Sequence, residues 1–246
     1  MLVAWRAPIL RATRAIDLLA RTSNDLDGIK HIISEICRAD LPDDGVWFDS
    51  DSVTTTRIAE DADYEGVRAT FAGRLATTRL SMQIDIGFSD VVTPGPVEIS
   101  YPTILDYPAP VLRAYNRETV IAEKFDTMVS LGRLNSRMKD FFDVWLLAST
   151  SDFSGADLSA AILATFRRRG TELNAVPQAF EDDFLFDPSK RSQWTGFLKR
   201  MRPSEAPSTF SDALISIRAF LQPVHEALCS GDSFTMTWKH PGPWRQ

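Results

Sequence analysis

Asp85 lies in the segment with the clearest alternation in the chain. Leu80, Met82, Ile84, Ile86 and Phe88 point one way; Ser81, Gln83, Asp85 and Gly87 point the other. Such a period of two is that of a half-buried strand. Asp17 sits in a second short strand, read over 13–19. If the two strands are neighbours, both carboxylates converge on one sheet face. Oxygen pairs of this kind suit a hard divalent cation, Mg²⁺ or Mn²⁺. Each acid taken alone also reads as a solvent-facing or strand-edge carboxylate.

A second group of chemistry-bearing residues lies further along. Ile121, Phe125 and Met128 make the apolar stripe of a helix expected over 117–131, and Lys124 lies beside that stripe. Its stem can pack while its ammonium reaches out. In the next helix, expected over 136–149, Arg137 and Asp140 are three apart, as are Asp140 and Asp143, and Lys139 and Asp143 are four apart. All can meet as helix neighbours. The plain alternative is surface salt pairing, worth ~0.3–0.5 kcal/mol a pair.

The elements that must carry these residues fall into two kinds. Met1–Trp5 reads as the end of an apolar helix closed by Pro8. Asn24 or Asp25 caps a helix to Arg38, with Leu26, Ile29, Ile32, Ile33 and Ile36 on one stripe. Short strands follow at 46–48 and 53–58, then a hairpin of 67–71 with 79–88. Helices are expected at 117–131, 136–149, 155–169, 189–201 and 208–228. The stretch 170–188 and the tail from Trp238 to Trp244 read as irregular, the two tryptophans forming a packing clasp. Mixed α/β followed by all-helix predicts an α+β fold, with an α/β region over 1–115 and a helical region over 116–246.

These motifs resemble those of the AbiEii/AbiGii-type toxin nucleotidyltransferases, within the DNA polymerase β-like nucleotidyltransferase superfamily. The run from Arg11 through Thr13 to Asp17 is similar to that family's first acidic strand, Gln83–Phe88 to its second, and Ala122-Glu123-Lys124 followed by Arg137-Met138-Lys139-Asp140 and Asp143 to its helical motifs. The resemblance implies a nucleotidyltransferase-like mixed sheet flanked by helices. It also implies transfer of a nucleoside monophosphate from an NTP to an RNA 3′ end, with tRNA the favoured acceptor, and a separately encoded antitoxin as partner. By that resemblance Asp17 and Asp85 bind the metal. Lys124 contacts the triphosphate and Asp140 completes the catalytic set. Arg11, Thr13, Arg137, Lys139 and Asp143 support nucleotide binding.

Two departures stand out. Ala15 holds the place of the leading acid, on the same side of the strand as Asp17. The family's Gly-Gly or Gly-Ser turn before this strand has no counterpart, and the chain is expected to start inside the helix that follows that turn. A second functional reading is therefore a catalytically silent relative that binds a protein or an RNA.

Composition narrows the field. The chain has 246 residues and a net charge of −6, so it does not coat nucleic acid by bulk charge. Local basic clusters remain: Arg6, Arg11 and Arg14; Arg167–Arg169; and Lys199, Arg200 and Arg202. There is no membrane-length apolar run and no secretory leader, which predicts a cytoplasmic protein. Cys37 and Cys229 lack metal-like spacing and read as buried free thiols.

Overall fold

The computed structural model describes residues 16–40, 44–59, 65–103, 106–173 and 177–246. The chain divides into two compact units, Thr13–Asp90 and one that contains Val91–Gln246. Arg11, Thr13, Ala15 and the expected helix at Met1–Trp5 lie outside the described residues.

The first unit is a mixed sheet with one helix. Its elements are β1 (Ile16–Leu19), α1 (Leu26–Cys37), β2 (Val46–Phe48), β3 (Thr54–Ala59), β4 (Glu65–Leu75) and β5 (Thr78–Gly87). The strand order is β1-β5-β4-β2, and β3 also pairs with β4. β1 runs parallel to β5, whereas β4 is antiparallel to β5, β2 and β3. The alternation read in β5 decides which face is buried. Ile84 and Ile86 join Val67 and Ala69 of β4, Val53, and Ile29 and Ile33 of α1 in a small core. α1 starts where Asp25 accepts a hydrogen bond from the Gly28 N–H at 2.7 Å. Its stripe is narrower than expected: Ile32 and Ile36 are exposed.

The second unit is mostly helical. It contains the hairpin β6 (Val97–Ser100) and β7 (Val111–Ala114), then α2 (Arg117–Leu131), α3 (Met138–Thr150), β8 (Phe153–Ser154), α4 (Gly155–Arg169), α5 (Asp182–Leu185), α6 (Pro188–Met201), α7 (Phe210–Ser230), β9 (Thr237–Trp238) and β10 (Trp244–Arg245). The α+β class is as the sequence predicts. The hairpin β6–β7 and the short helix α5 were not foreseen.

The tail is not irregular throughout, because β9 pairs with both β8 and β10. Trp238 donates its indole N–H to the Ala148 carbonyl at 2.7 Å, and Trp244 donates to Phe220 at 2.8 Å. Both rings pack on Phe220 in the large aromatic core, as the clasp reading requires. Neither cysteine is fully buried: Cys37 is half-buried and Cys229 exposed.

Candidate functional site

In the sheet unit, register determines what Asp85 meets. β1 and β5 pair so that Asp17 is the partner of Asp85, and β4 and β5 pair so that Arg68 is opposite Asp85. Laterally paired residues share a sheet face, with neighbouring strands about 4.8 Å apart. Arg68, Asp85 and Asp17 therefore form one row across three strands. The face is the one opposite the Ile84–Ile86 core. Asp17 is exposed, and the Asp85 side chain keeps 16% of its surface open.

Asp85 is firmly held. Arg68 Nε donates to its Oδ1 at 2.7 Å and Nη2 to its Oδ2 at 2.8 Å. Gln83 Nε2 approaches the same two oxygens at 3.2 and 3.1 Å. The Arg68 hydrogen bonds hold the Asp85 carboxyl below the usual carboxylate value; partial burial opposes this, and Gln83 adds to it.

The helical unit carries the second cluster. Asp140 and Asp143 lie one turn apart on α3, and both reach Lys124 on α2. Lys124 Nζ donates to Asp140 Oδ1 at 2.7 Å and stands 3.0 Å from Asp143 Oδ2. Arg137 Nε donates to the other Asp140 oxygen at 2.6 Å. The two carboxylates are almost sealed from water, with side-chain exposures of 3% and 1%, whereas Arg137 remains 52% exposed. Burial disfavours the charge on Lys124, but Asp143 and Asp140 outweigh it and raise its pKa above the ordinary lysine value. Burial likewise works against the Asp140 carboxylate; Lys124 and Arg137 overcome it and lower its pKa. Lys139, expected as a supporting residue, is exposed.

The turn that sets α2 against α3 has its own supports. Gly132 adopts φ +46°, which favours glycine, and a Cβ there would push aside the Gln178 side chain that accepts from the Arg133 N–H. Asn135 is fully buried; its amide donates to the Thr127 carbonyl at 3.2 Å and its Oδ1 accepts from the Arg137 N–H at 2.8 Å. Lys190 of α6, also buried, donates to the carbonyls of Arg133 and Asn135 at 2.8 and 2.6 Å. Burial lowers its pKa despite Asp187.

Sequence reasoning missed Arg68 and Lys190. Lys190 resembles any cation on a solvated helix. Arg68 is set against Asp85 by a hairpin whose first strand runs longer than the 67–71 read from sequence, and whose two-residue turn at Ala76 and Thr77 carries no glycine or asparagine to mark it. Of the basic clusters, Arg169 is spent on Asp126 and Glu123.

Asp17 and Asp85 fit a shared divalent cation by donor type and by register. The fit is conditional, because both Asp85 oxygens already accept hydrogen bonds. Among the described residues, no group of three or more His, Cys, Asp or Glu could hold a metal, and no helix is long and apolar enough to cross a membrane.

Comparison with known proteins returns two Helicobacter pylori crystal structures, JHP933 and a candidate nucleotidyltransferase. Each is 14% identical with a TM-score of 0.49. The first comparison covers 93% of this chain and 82% of the other; the second covers 94% and 86%. No curated protein matches the chain. The sequence profile of the nucleotidyl transferase AbiEii toxin, type IV TA system, matches residues 1–216, and the chain belongs to that family.

Proposed function

We propose that this protein transfers a nucleoside monophosphate from an NTP to the 3′ end of an RNA, with tRNA the favoured acceptor and Mg²⁺ or Mn²⁺ as cofactor. The observation that carries this reading is the in-register placement of Asp17 beside Asp85 on the face of the sheet away from its apolar core. Those carboxylates are the residues that would hold the cation. When bound, the cation lowers the pKa of the attacking hydroxyl and neutralises charge on the transferring phosphate.

The helical cluster supports the same chemistry. Lys124 and Arg137 carry two positive charges against the two negative charges of Asp140 and Asp143. Asp140 holds the ammonium and the guanidinium from one carboxylate, so it acts as a positioning residue for both. Arg137 is the more exposed cation of the two. It offers a planar donor fork suited to phosphate oxygens. Lys124 serves as a buried point charge for the triphosphate. The supporting roles of Arg11, Thr13, Lys139 and Asp143 belong to this proposal as well.

The test is incubation of the purified protein with labelled NTPs, tRNA and Mg²⁺. Label is expected at the RNA 3′ end, and Lys124→Ala should lower the rate about 10²-fold or more. Transfer untouched by that substitution would remove Lys124 from the chemistry.

A second reading, a family member that binds without transferring, draws on Ala15 and on the Arg68 hold over Asp85. An inert protein that labels RNA once Ala15→Asp is introduced would favour it. The type IV toxin–antitoxin family implies an antitoxin partner in either case.

A further inference from the structure

The strongest unexplained feature of the sheet unit is the bidentate grip of Arg68 on Asp85. It occupies a lone pair on each carboxylate oxygen, and the Gln83 amide lies against both. A carboxylate offers about four acceptor positions in all. A divalent cation shared with Asp17 would have to take Asp85 oxygen from Gln83 or Arg68, and a cation that uses both oxygens must take it from Arg68. It would also bring two positive charges beside a guanidinium one strand away.

We propose that Arg68 is a displaceable counter-cation: it and a divalent metal compete for Asp85, and this competition sets the metal affinity of the protein. The inference rests on the metal-binding part of the function proposed above.

Three features support it. The pair is cross-strand and in register, so Arg68 reaches Asp85 from directly opposite. Asp17 is the register partner of Asp85 on its other side, so a cation bound there shares the same carboxylate. Arg68 is also the more exposed member, at 40% against 16%, so its side chain has solvent to swing into while Asp85 stays in place. Once displaced, a guanidinium beside a metal-bound nucleotide would meet phosphate oxygens, which are its natural bidentate partners. Metal alone then binds weakly, and metal with nucleotide binds well, because the phosphates offer Arg68 a new partner.

The experiment is a Mn²⁺ titration of the intact protein followed by electron paramagnetic resonance of free Mn²⁺, without RNA and without reading any activity. Four proteins are compared: unaltered, Arg68→Gln, Arg68→Lys and Asp85→Asn, with circular dichroism to confirm that each is folded. Arg68→Gln is expected to bind Mn²⁺ ~10-fold or more tightly than the unaltered protein. Arg68→Lys, which keeps charge but loses the fork, should fall between them and serves if the glutamine variant does not fold. Asp85→Asn should lose the bound ion. Adding a non-hydrolysable NTP should tighten Mn²⁺ binding more in the unaltered protein than in Arg68→Gln. Equal or weaker Mn²⁺ binding by both Arg68 variants, or binding that survives Asp85→Asn, would overturn the proposal. Transfer to RNA is measured separately, so an active protein without this competition, or an inert one that shows it, separates the two ideas.

Discussion

At the scale of single residues, Lys124, Asp140 and Asp143 form a buried ionic group whose stability depends on all its members. Taking charge out of water costs several kcal/mol per ion, recovered only if partners stay in place. Asp140→Asn leaves Lys124 with Asp143 alone and should cost about 3–5 kcal/mol in urea unfolding. The pH dependence has a definite sign. The Asp140 carboxyl is held below its ordinary 3.8, so its contribution is present above that value and is lost as pH falls through the lower folded pKa. Lys124 is held above 10.5, so its contribution is complete below that pH and is lost as pH rises through the raised folded pKa. The gap in unfolding free energy between the unaltered protein and Asp140→Asn should therefore be full at pH 7 and narrow in acid below 3.8. A gap that stays constant into strong acid would show that the Asp140 charge contributes nothing to folding.

At the scale of elements, the α2–α3 turn sets Lys124 of one helix against Asp140 and Asp143 of the next. Gly132→Ala meets both a positive φ and the Gln178 side chain, and should destabilise by about 1–3 kcal/mol. Lys190→Met removes two charge-assisted hydrogen bonds from the turn carbonyls and should cost about 2 kcal/mol or more; a melting temperature within error of the unaltered protein would show that the turn holds without it. These elements also show what the chain makes legible. The β5 alternation and the five longer helices of the second unit are local patterns, so sequence reveals them. β6 and β7 are four-residue strands among prolines, with no period long enough to read. The exposure of Ile32 and Ile36 depends on how much sheet α1 covers, which its own sequence does not encode. Spacing alone left Asp17, Asp85, Lys124 and Asp140 between a functional and a surface reading; family likeness selected them. The Lys190 contacts span 55 and 57 residues and have no local trace.

At the scale of the whole molecule, each unit keeps its own core and its own charged group. The helical unit is closed by its tail: Trp244 stacks on Phe220, Trp238 meets the same ring edge-on, and both donate to carbonyls within that core. Trp238→Ala should cost about 3–5 kcal/mol, read as a lowered urea midpoint; an unchanged midpoint would mean the tail is ornamental to stability. The central proposal is that nucleotidyl transfer needs both the Asp17–Asp85 row and the Lys124–Asp140 cluster. A double-substitution cycle tests it most directly, with initial rates of label transfer from NTP to tRNA for the unaltered protein, Asp85→Asn, Lys124→Ala and the two combined. Residues that act as a unit are strongly non-additive. The predicted result is transfer by the unaltered protein, a large loss in each single variant, and a combined variant no slower than the worse single one. No transfer by the unaltered protein, or losses that simply multiply, would contradict the account.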